Sequence, residues 1–371
     1  MKEGWKLIKL DELCVIERGG SPRPIDAFLT DDADGINWIK ISDATASSKY
    51  IYKTEQKIKP EGIKSSRIVN EGDFILSNSM SFGRPYIMKT NGCIHDGWLV
   101  LRQPKVNPDY LYLVLSSDFV YQQFDRLASG STVRNLNIGL VKSVEIPVPS
   151  ELEQQRIVAI LDEAFDAIAA ARANAEQNRQ NARALFDSML NSVNGEPAAL
   201  GDYVSIKTGK LDANAAVEGG EYPFFTCSKE IYAIDKFAFD CEAILLAGNN
   251  AVGDFNVKHY RGKFNAYQRT YVITVNNEAQ LHYRFLYFQM LKSLKRFKEQ
   301  SVGAGTKFLK LGMIKDLKIS LPSPQEQKRL VSLLDSVLEE TQRLESLYQR
   351  KITALDELKQ SLLQQAFSGQ L

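Results

Sequence analysis

The chain has 371 residues, of which 44% are hydrophobic and 25% are charged. At roughly 100–200 residues per domain, this length predicts two to four domains, and the composition excludes extensive intrinsic disorder. The 46 basic and 45 acidic residues leave a formal net charge of only +1, so the chain lacks the overall basic excess that most simply indicates nucleic-acid binding.

The apolar runs, cysteines and histidines indicate the cellular compartment and whether a membrane segment or a metal site is expected. No apolar run of about 18 residues occurs, and the N-terminal MKEGWKLIKLDEL lacks the uninterrupted apolar core of a signal peptide. The four cysteines form no CxxC pair, and the three histidines show no metal-binding spacing. We therefore expect a cytoplasmic protein with reduced thiols, no membrane segment and no metal.

The first half of the chain begins with a mixed segment, residues 1–150. The runs DFILS (73–77) and GWLVLR (97–102) predict strands, and DYLYLVLSSDFVYQQF (109–124) has a helical pattern. Residues 151–192 contain neither Pro nor Gly and predict one long helix, which ends before NGEP (194–197).

The second half repeats this order. In residues 197–323, AILLAG (243–248) and RTYVITV (269–275) predict strands, and HYRFLYFQMLKSLKRF (282–297) predicts a helix. Residues 325–367 again contain neither Pro nor Gly and predict a second long helix.

An internal repeat accounts for this parallel order. IPVPSELEQQRIVAILDEAF (146–165) and ISLPSPQEQKRLVSLLDSVL (319–338) are identical at nine of twenty positions without a gap. Both contain an S-x-x-E capping box, Ser150/Glu153 and Ser323/Glu326, at the predicted helix start. LDELCVIERG (10–19) similarly resembles LGDYVSIKTG (200–209). We therefore predict a duplicated scaffold whose interiors have diverged.

Both long helices also carry heptad patterns. The 4/3-spaced positions are Leu161, Ala164, Ile168, Ala171, Ala175, Asn178, Ala182, Leu185 and Met189 in the first helix, and Leu334, Val337, Thr341, Leu344, Tyr348, Lys351, Leu355, Leu358 and Leu362 in the second. This spacing predicts a coiled-coil seam, which is antiparallel if a two-fold axis relates the halves. Asn178 and Lys351 occupy equivalent positions, either as register-fixing polar residues or as a solvated gap.

These patterns together predict the architecture. Residues 1–150 and 197–323 are two copies of an α/β (α+β) domain, and residues 151–196 and 324–371 are two long helices that form an antiparallel coiled coil with a pseudo-two-fold internal repeat. Such a pair of helices, each about 60 Å long, would hold the two domains apart.

The near-neutral total conceals segregated charge. Residues 197–323 have 17 basic and 12 acidic side chains, a net charge of +5, whereas residues 1–150 have a net charge of +1. The two helical segments have net charges of −4 and −1. The α/β domains, rather than the helices, are therefore the candidates for contacting a polyanion, although the small excess in 1–150 also fits an ordinary solvated face.

Polar and basic residues in loops supply candidate DNA contacts. Arg, Asn and Gln read base edges, and small hydroxyls beside glycines suit phosphates. The candidates are Ser21, Arg23, Asn78, Arg84, Ser131, Thr132, Arg134, Asn135, Asn249, Asn250, Arg261, Lys263, Gln268, Arg269, Thr306 and Lys307. Each of them taken singly also fits an ordinary loop residue.

Catalytic motifs are missing from the sequence. No GxxxxGK[ST], GxSxG or dinucleotide fingerprint occurs, and we find no Asn/Asp-Pro-Pro-aromatic run and no nuclease-like acidic cluster. We therefore expect no catalytic residues and no cofactor on this chain.

The repeated PxxxEQxR at the helix starts, with each helix following an α/β segment, resembles the specificity subunit of type I restriction-modification systems. The residues that carry this resemblance are Pro149, Glu153, Gln154, Arg156, Pro322, Glu326, Gln327 and Arg329. The WKLIKLDEL start (5–13) and the terminal LLQQAFSGQL (362–371) are also similar to this family.

The resemblance implies a non-catalytic subunit that serves DNA methylation and host defence. Each α/β segment would be a target recognition domain for one half of a bipartite, asymmetric site in double-stranded DNA. The helices would set the spacer and dock two methyltransferase subunits, which bind S-adenosylmethionine, and motor-nuclease subunits would join them. Because recognition domains vary freely within the family, the resemblance does not identify the residues that contact bases.

Two other readings fit the residues. One is a stand-alone, sequence-specific DNA-binding adaptor without a methyltransferase partner. The other is a coiled-coil scaffold that binds only protein. Failure to co-purify with a methyltransferase subunit would favour the adaptor. DNA binding by the assembled complex that is absent or independent of salt would favour the scaffold.

Overall fold

A computed structural model describes residues 2–78, 82–128 and 135–371. The chain divides into two compact units. Unit 1 comprises Met1–Asn174 and Lys351–Leu371, and unit 2 comprises Ala175–Arg350. The two boundaries fall within the two longest helices, so each unit contains a segment of both.

Unit 1 contains strands β1–β12 and helices α1–α5, besides its segments of the long helices. The strands are β1 Lys6–Lys9, β2 Val15–Arg18, β3 Leu29–Thr30, β4 Ile36–Ile39, β5 Tyr50–Ile51, β6 Gln56–Ile58, β7 Arg67–Val69, β8 Phe74–Ser77, β9 Pro85–Met88, β10 Gly92–Ile94, β11 Trp98–Arg102 and β12 Glu145–Val148. The helices are α1 Leu10–Leu13, α2 Ile41–Thr45, α3 Pro108–Leu115, α4 Asp118–Ala128 and α5 Ile138–Ser143, and 3-10 turns lie at Ile25–Ala27 and Pro60–Ser65.

Two five-stranded sheets organise unit 1, with strand orders β3-β6-β4-β10-β7 and β2-β11-β8-β9-β5. Alternate residues of β11 point to opposite faces, as strand geometry requires. Leu99 and Leu101 join a core with helical residues such as Tyr110, whereas Trp98 and Val100 join a second core. Apolar residues on both faces explain why GWLVLR reads as a continuous run.

The elements of unit 2 are fewer and longer. They are α6 Glu151–Asn191, which begins in unit 1, β13 Glu196–Ala199, β14 Val204–Thr208, β15 Tyr222–Phe225, β16 Tyr232–Ile234, β17 Phe239–Ala247, β18 Asn249–Asn250, β19 Val257–Ala266, β20 Thr270–Val275, α7 Tyr283–Gln300, β21 Lys307–Phe308, α8 Leu311–Lys315, β22 Lys318–Leu321 and α9 Pro324–Ser368, which ends in unit 1. 3-10 turns lie at Leu200–Asp202 and Ala213–Ala215.

A six-stranded sheet of order β14-β20-β17-β19-β15-β16 forms the centre of unit 2. Its strand β17 again faces two cores. Ile244 and Leu246 pack with residues of α7 such as Phe285 and Phe288, and Leu245 packs with Phe264. The α/β prediction is therefore confirmed for both halves.

The duplication is visible in the described structure. Strand β1 pairs with β12 and β13 pairs with β22, both antiparallel, next to the long helices. The residue after each first strand repeats the same bond, because Leu10 N donates to Val144 O and Leu200 N donates to Leu317 O, both at 2.9 Å. The sequence repeat thus corresponds to a structural repeat.

The two long helices pair antiparallel within each unit. In unit 1, Arg156 Nη2 donates to Leu371 O at 2.8 Å, and Arg172 Nε lies 3.5 Å from Asp356 Oδ1. In unit 2, Arg179 Nη1 donates to Gln349 Oε1 at 2.5 Å. The predicted helices 151–192 and 325–367 agree with α6 and α9 to within one residue.

The heptad assignment is wrong at some seam positions. Leu161, Ile168, Leu334 and Thr341 are buried as predicted. However, Ile352 is buried where Lys351 was expected, and Phe186 is buried where Leu185, which is 61% exposed, was expected. A straight α-helix drifts about 20° per heptad, so the buried position moves by one residue. Asn178 and Lys351 are each exposed, so neither is a buried register-fixing residue of the seam.

One predicted helix is interrupted. The helical pattern over 109–124 becomes α3 and α4, which are separated at Ser116 and Ser117. Both hydroxyls donate back to carbonyls of α3, Ser116 Oγ to Tyr112 O and Ser117 Oγ to Val114 O. Such local bonds compete with helix continuation, which explains the break.

Candidate nucleic-acid interface

Loops gather at one end of the β2-β11-β8 strands in unit 1. Gly19 N, after β2, donates to Trp98 O at 2.9 Å, and Asn78 N, after β8, donates to Gly97 O at 3.0 Å. We call residues 19–24, 78 and 95–97 loop edge 1. A strand framework with loops at its end can present polar side chains while their backbones stay fixed.

Unit 2 has the same arrangement on β14-β20-β17. Gly209 N donates to Thr270 O at 3.4 Å, and Gly248 N donates to Arg269 O at 2.9 Å. We call residues 209–212, 248–250 and 267–269 loop edge 2. A further bond also corresponds, because Leu136 N donates to Asn78 O and Leu309 N donates to Gly248 O, both at 2.9 Å.

Three candidate residues of loop edge 1 contact Asp96, two through its carboxylate and one through its backbone carbonyl. Ser21 Oγ donates to Asp96 Oδ1 at 2.6 Å, Arg23 Nη2 lies 3.3 Å from Asp96 Oδ2, and Asn78 Nδ2 donates to Asp96 O at 2.9 Å. The hydrogen bond from Ser21, with the charge of Arg23 among the lesser causes, lowers the pKa of Asp96 below its ordinary value. The carboxylate is therefore ionised at neutral pH.

A cleft of about 1100 Å³ adjoins loop edge 1. Ser21, Arg23 and His95 line it together with Trp38 and Lys40. Burial lowers the pKa of His95 below its ordinary value, so the imidazole is neutral at physiological pH. The cleft thus has a mostly uncharged wall and two cationic side chains.

The other candidates of unit 1 lie apart from this carboxylate or outside the described residues. The Arg84 guanidinium lies 3.5 Å from the carbonyl oxygens of Ser47 and Ser48 and above the Tyr86 ring, so it contacts its own unit. Asn135 is exposed beside Leu136. The remaining candidates, Ser131, Thr132 and Arg134, lie outside the described residues.

In unit 2 most candidates lie in or beside loop edge 2. Asn249 and Asn250 form β18, and Asn250 pairs with Lys307 of β21. Gln268 Nε2 donates to Asp212 Oδ1 at 2.5 Å. The side chains of Arg269 and Thr306 are exposed, the latter next to Lys307. Asparagine, glutamine, arginine and lysine are thus brought to one surface.

Arg261 and Lys263 belong to a different part of unit 2. They lie on β19 directly opposite Glu242 and Asp240 of β17. The Arg261 guanidinium is 3.8 Å from the Glu242 carboxylate, and Lys263 Nζ lies 4.8 Å from the ring centre of Phe237. These strand positions place neither residue in loop edge 2.

Each copy of the helix-start motif contains a buried amide. Gln154 Oε1 accepts from Asn107 N at 2.8 Å, and its Nε2 donates to Pro149 O at 3.0 Å. Asn107 is the N-cap of α3, so this side chain joins a helix of the α/β domain to the start of α6. Gln154 is only 4% exposed, and the motif residue is therefore structural.

The second copy repeats and extends this arrangement. Gln327 Oε1 accepts from the N-cap residue of α7, His282 N, at 2.9 Å. Its Nε2 donates to Gln280 O at 2.8 Å and to Pro322 O at 3.0 Å. Gln327 is fully buried.

The charged residues of the motif form pairs at the surface. Arg156 donates two hydrogen bonds to Glu153, at 2.7 and 2.9 Å, and Arg329 does the same to Glu326, at 2.8 and 2.6 Å. The bonds from Arg156 and from Lys2 lower the pKa of Glu153 to about 2. These pairs leave the charged motif side chains on one exposed turn of each long helix.

Sequence reasoning missed Asp96, the centre of loop edge 1. A single acid in a His-Asp-Gly turn is too common to stand out, and Ser21 and Asn78 reach it from distant positions. No cluster of His, Cys, Asp or Glu able to hold a metal occurs within 2–78, 82–128 and 135–371. Among the helices of those ranges, none has the length and apolar character needed to cross a membrane.

Comparison with known proteins identifies the family. The family model described as type I restriction modification DNA specificity domain matches residues 2–177 and 193–354. The EcoDI specificity subunit of Escherichia coli is 38% identical over 179 residues, which cover 48% of this chain and 39% of that protein. The MjaIX specificity subunit of Methanocaldococcus jannaschii is 22% identical over an alignment covering 99% of this chain and 93% of that protein.

Solved structures share the fold. A chain from a study of complex assembly and conformational transition of the type I R-M system has a TM-score of 0.81 at 18% identity, covering 100% of this chain and 99% of that one. The HsdS subunit from Thermoanaerobacter tengcongensis has a TM-score of 0.60 at 18% identity, covering 100% and 98%. With both halves matched by the family model, the chain belongs to the type I restriction-modification DNA specificity family.

Proposed function

We propose that the chain is the DNA-recognition subunit of a type I restriction-modification complex. Each unit reads one half of a bipartite site in double-stranded DNA through its loop edge. The observation that carries this proposal is that corresponding loops at corresponding strand ends hold different polar side chains, Arg23 and Asp96 in unit 1 against Asp212 and Gln268 in unit 2. Different side chains on one framework suit an asymmetric site.

The long helices supply the second part of the proposal. They set the spacer between the half-sites and dock two methyltransferase subunits, which bind S-adenosylmethionine and methylate adenine. Motor-nuclease subunits then join the complex. This chain contributes recognition and no catalytic group. The exposed Glu153–Arg156 and Glu326–Arg329 pairs, one at each helix start, support two equivalent docking positions.

DNA binding by the assembled complex tests the proposal. We expect the chain, purified with the methyltransferase subunit of its own system, to bind a duplex that contains the recognition site of that system. The logarithm of the binding constant should fall linearly with the logarithm of the salt concentration. Fluorescence anisotropy of a labelled duplex, titrated at several salt concentrations, measures this. The methyltransferase alone serves as the control.

Two results would contradict it. If the methyltransferase alone bound DNA with the same affinity and the same sequence preference, this chain would have no role in recognition. DNA binding by this chain when it forms no complex with a methyltransferase subunit would favour the stand-alone adaptor.

A further inference from the structure

We infer that Arg23, positioned by Asp96, reads a guanine in the half-site that unit 1 binds. This inference rests on the proposed function and assigns base chemistry to one loop edge. The Arg23 side chain is 78% exposed and that of Asp96 is 46% exposed, so the pair faces solvent at the end of the strands. An ion pair this exposed adds little to the stability of the fold, so stability alone does not account for it.

Asp96 is held in place by contacts other than the one with Arg23. Ser21 Oγ donates to its Oδ1 at 2.6 Å, and its backbone carbonyl accepts from Asn78 Nδ2 at 2.9 Å and from Arg18 Nε at 3.2 Å. Carboxylate and turn are therefore both fixed. An acid anchored in this way holds one edge of the Arg23 guanidinium and so limits the orientations of this flexible side chain.

The geometry leaves the donors that guanine needs. A guanidinium has five N–H donors in a planar fork, and Asp96 engages Arg23 through Nη2. The free donors can reach O6 and N7 of one guanine, which is the pairing that arginine makes in the major groove. Lysine retains the charge but cannot form this planar pair.

The same carboxylate disfavours a phosphate contact. Asp96 Oδ2 lies 3.3 Å from Arg23 Nη2, so the pair has no net charge, and an approaching phosphate would meet an ionised acid. A guanine edge is neutral overall and presents only acceptors to the arginine. The ion pair therefore favours base reading over backbone contact.

Unit 2 holds a different pair at the corresponding place. The bonds Asn78 N to Gly97 O and Gly248 N to Arg269 O align the two turns, so Gln268 corresponds to Asp96. Gln268 bonds to Asp212 and not to an arginine. Of the two loop edges, as far as their residues are described, only loop edge 1 has this Arg–Asp pair, so its effect should be confined to one half-site.

The test is a methylation map of variants expressed with the methyltransferase subunit in a methylation-free host. Arg23→Lys and Asp96→Asn are each compared with the natural chain. The expected result is a tolerance of other bases at one guanine position, with methylation there at least about ten-fold less selective, while the other half-site is unchanged. Lys53→Ala, an exposed lysine of unit 1, is the charge control and Gln268→Ala is the reciprocal variant.

Replacing that guanine by 7-deazaguanine in a labelled duplex gives the atomic test. It should weaken binding by the natural complex about ten-fold and weaken binding by the Arg23→Lys complex no further, because the N7 contact is already lost. Uniform loss of methylation at an unrelaxed motif, no change in the motif, or a change in both half-sites would overturn the inference. The proposed function fails separately, if the natural chain directs no bipartite methylation at all.

Discussion

Replacing Gln327 with alanine is expected to lower the free energy of unfolding by about 3 kcal/mol. The substitution removes the partners of His282 N, Gln280 O and Pro322 O. Because these three groups are only partly buried, each loss should cost about 1 kcal/mol, the low end of the range for an unpartnered buried polar group. Gln154→Ala, which leaves two such groups, should cost about 2 kcal/mol by the same reasoning. Urea unfolding followed by circular dichroism measures both.

The chain offers matched controls for this experiment. Gln325→Ala makes the same chemical change on an exposed side chain two residues away and should leave the midpoint unchanged. All three tryptophans, Trp5, Trp38 and Trp98, lie in unit 1, so their fluorescence reports the Gln154 variant selectively. If Gln327→Ala were no more destabilising than Gln325→Ala, the buried amide would not be the reason that this motif contains glutamine.

Removing one heptad from both long helices is expected to shorten the spacer between the half-sites of the methylated motif, or to abolish methylation. Seven residues separate the Arg172–Asp356 contact of unit 1 from the Arg179–Gln349 contact of unit 2 on each helix. Removing 173–179 together with 349–355 therefore keeps Arg172 opposite Asp356. Seven residues correspond to about 10 Å of helix, close to the length of three base pairs.

The control for this variant is the deletion of 173–179 alone. This deletion shortens α6 but not α9, so the residues of α6 that follow the deletion meet α9 seven residues out of register. We therefore expect loss of stability and of methylation together. Thermal unfolding and a methylation map compare the two deletions. A stable double deletion that methylates the original motif with its original spacer would contradict the role of the helices in setting that spacer.

Local patterns predicted most of the framework. The capping boxes at Ser150 and Ser323 and the absence of Pro and Gly fixed both ends of α6 and α9 to within one residue, because helix signals are local. The apolar runs around Leu99 and Leu245 became central strands for the same reason. What failed was the seam at Lys351, where a small angular drift accumulates over many turns.

The site could be predicted only in part. Composition marked Ser21, Arg23 and Asn78, but their common partner Asp96 follows from tertiary hydrogen bonds that bring together residues 18 or more positions apart. The sequence also did not reveal that the register of β17 with β19 places Arg261 and Lys263 opposite Glu242 and Asp240, outside loop edge 2. The family motif likewise marked Gln154 and Gln327 without revealing that both are buried.

A genome-wide map of adenine methylation tests the central claim most directly. The host lacks its own methylation and expresses this chain with the methyltransferase subunit of the same system. We predict a single bipartite, asymmetric motif that disappears when this chain is omitted. The absence of methylation in spite of a folded complex of the two proteins, or a motif that persists without this chain, would contradict its role as the specificity subunit.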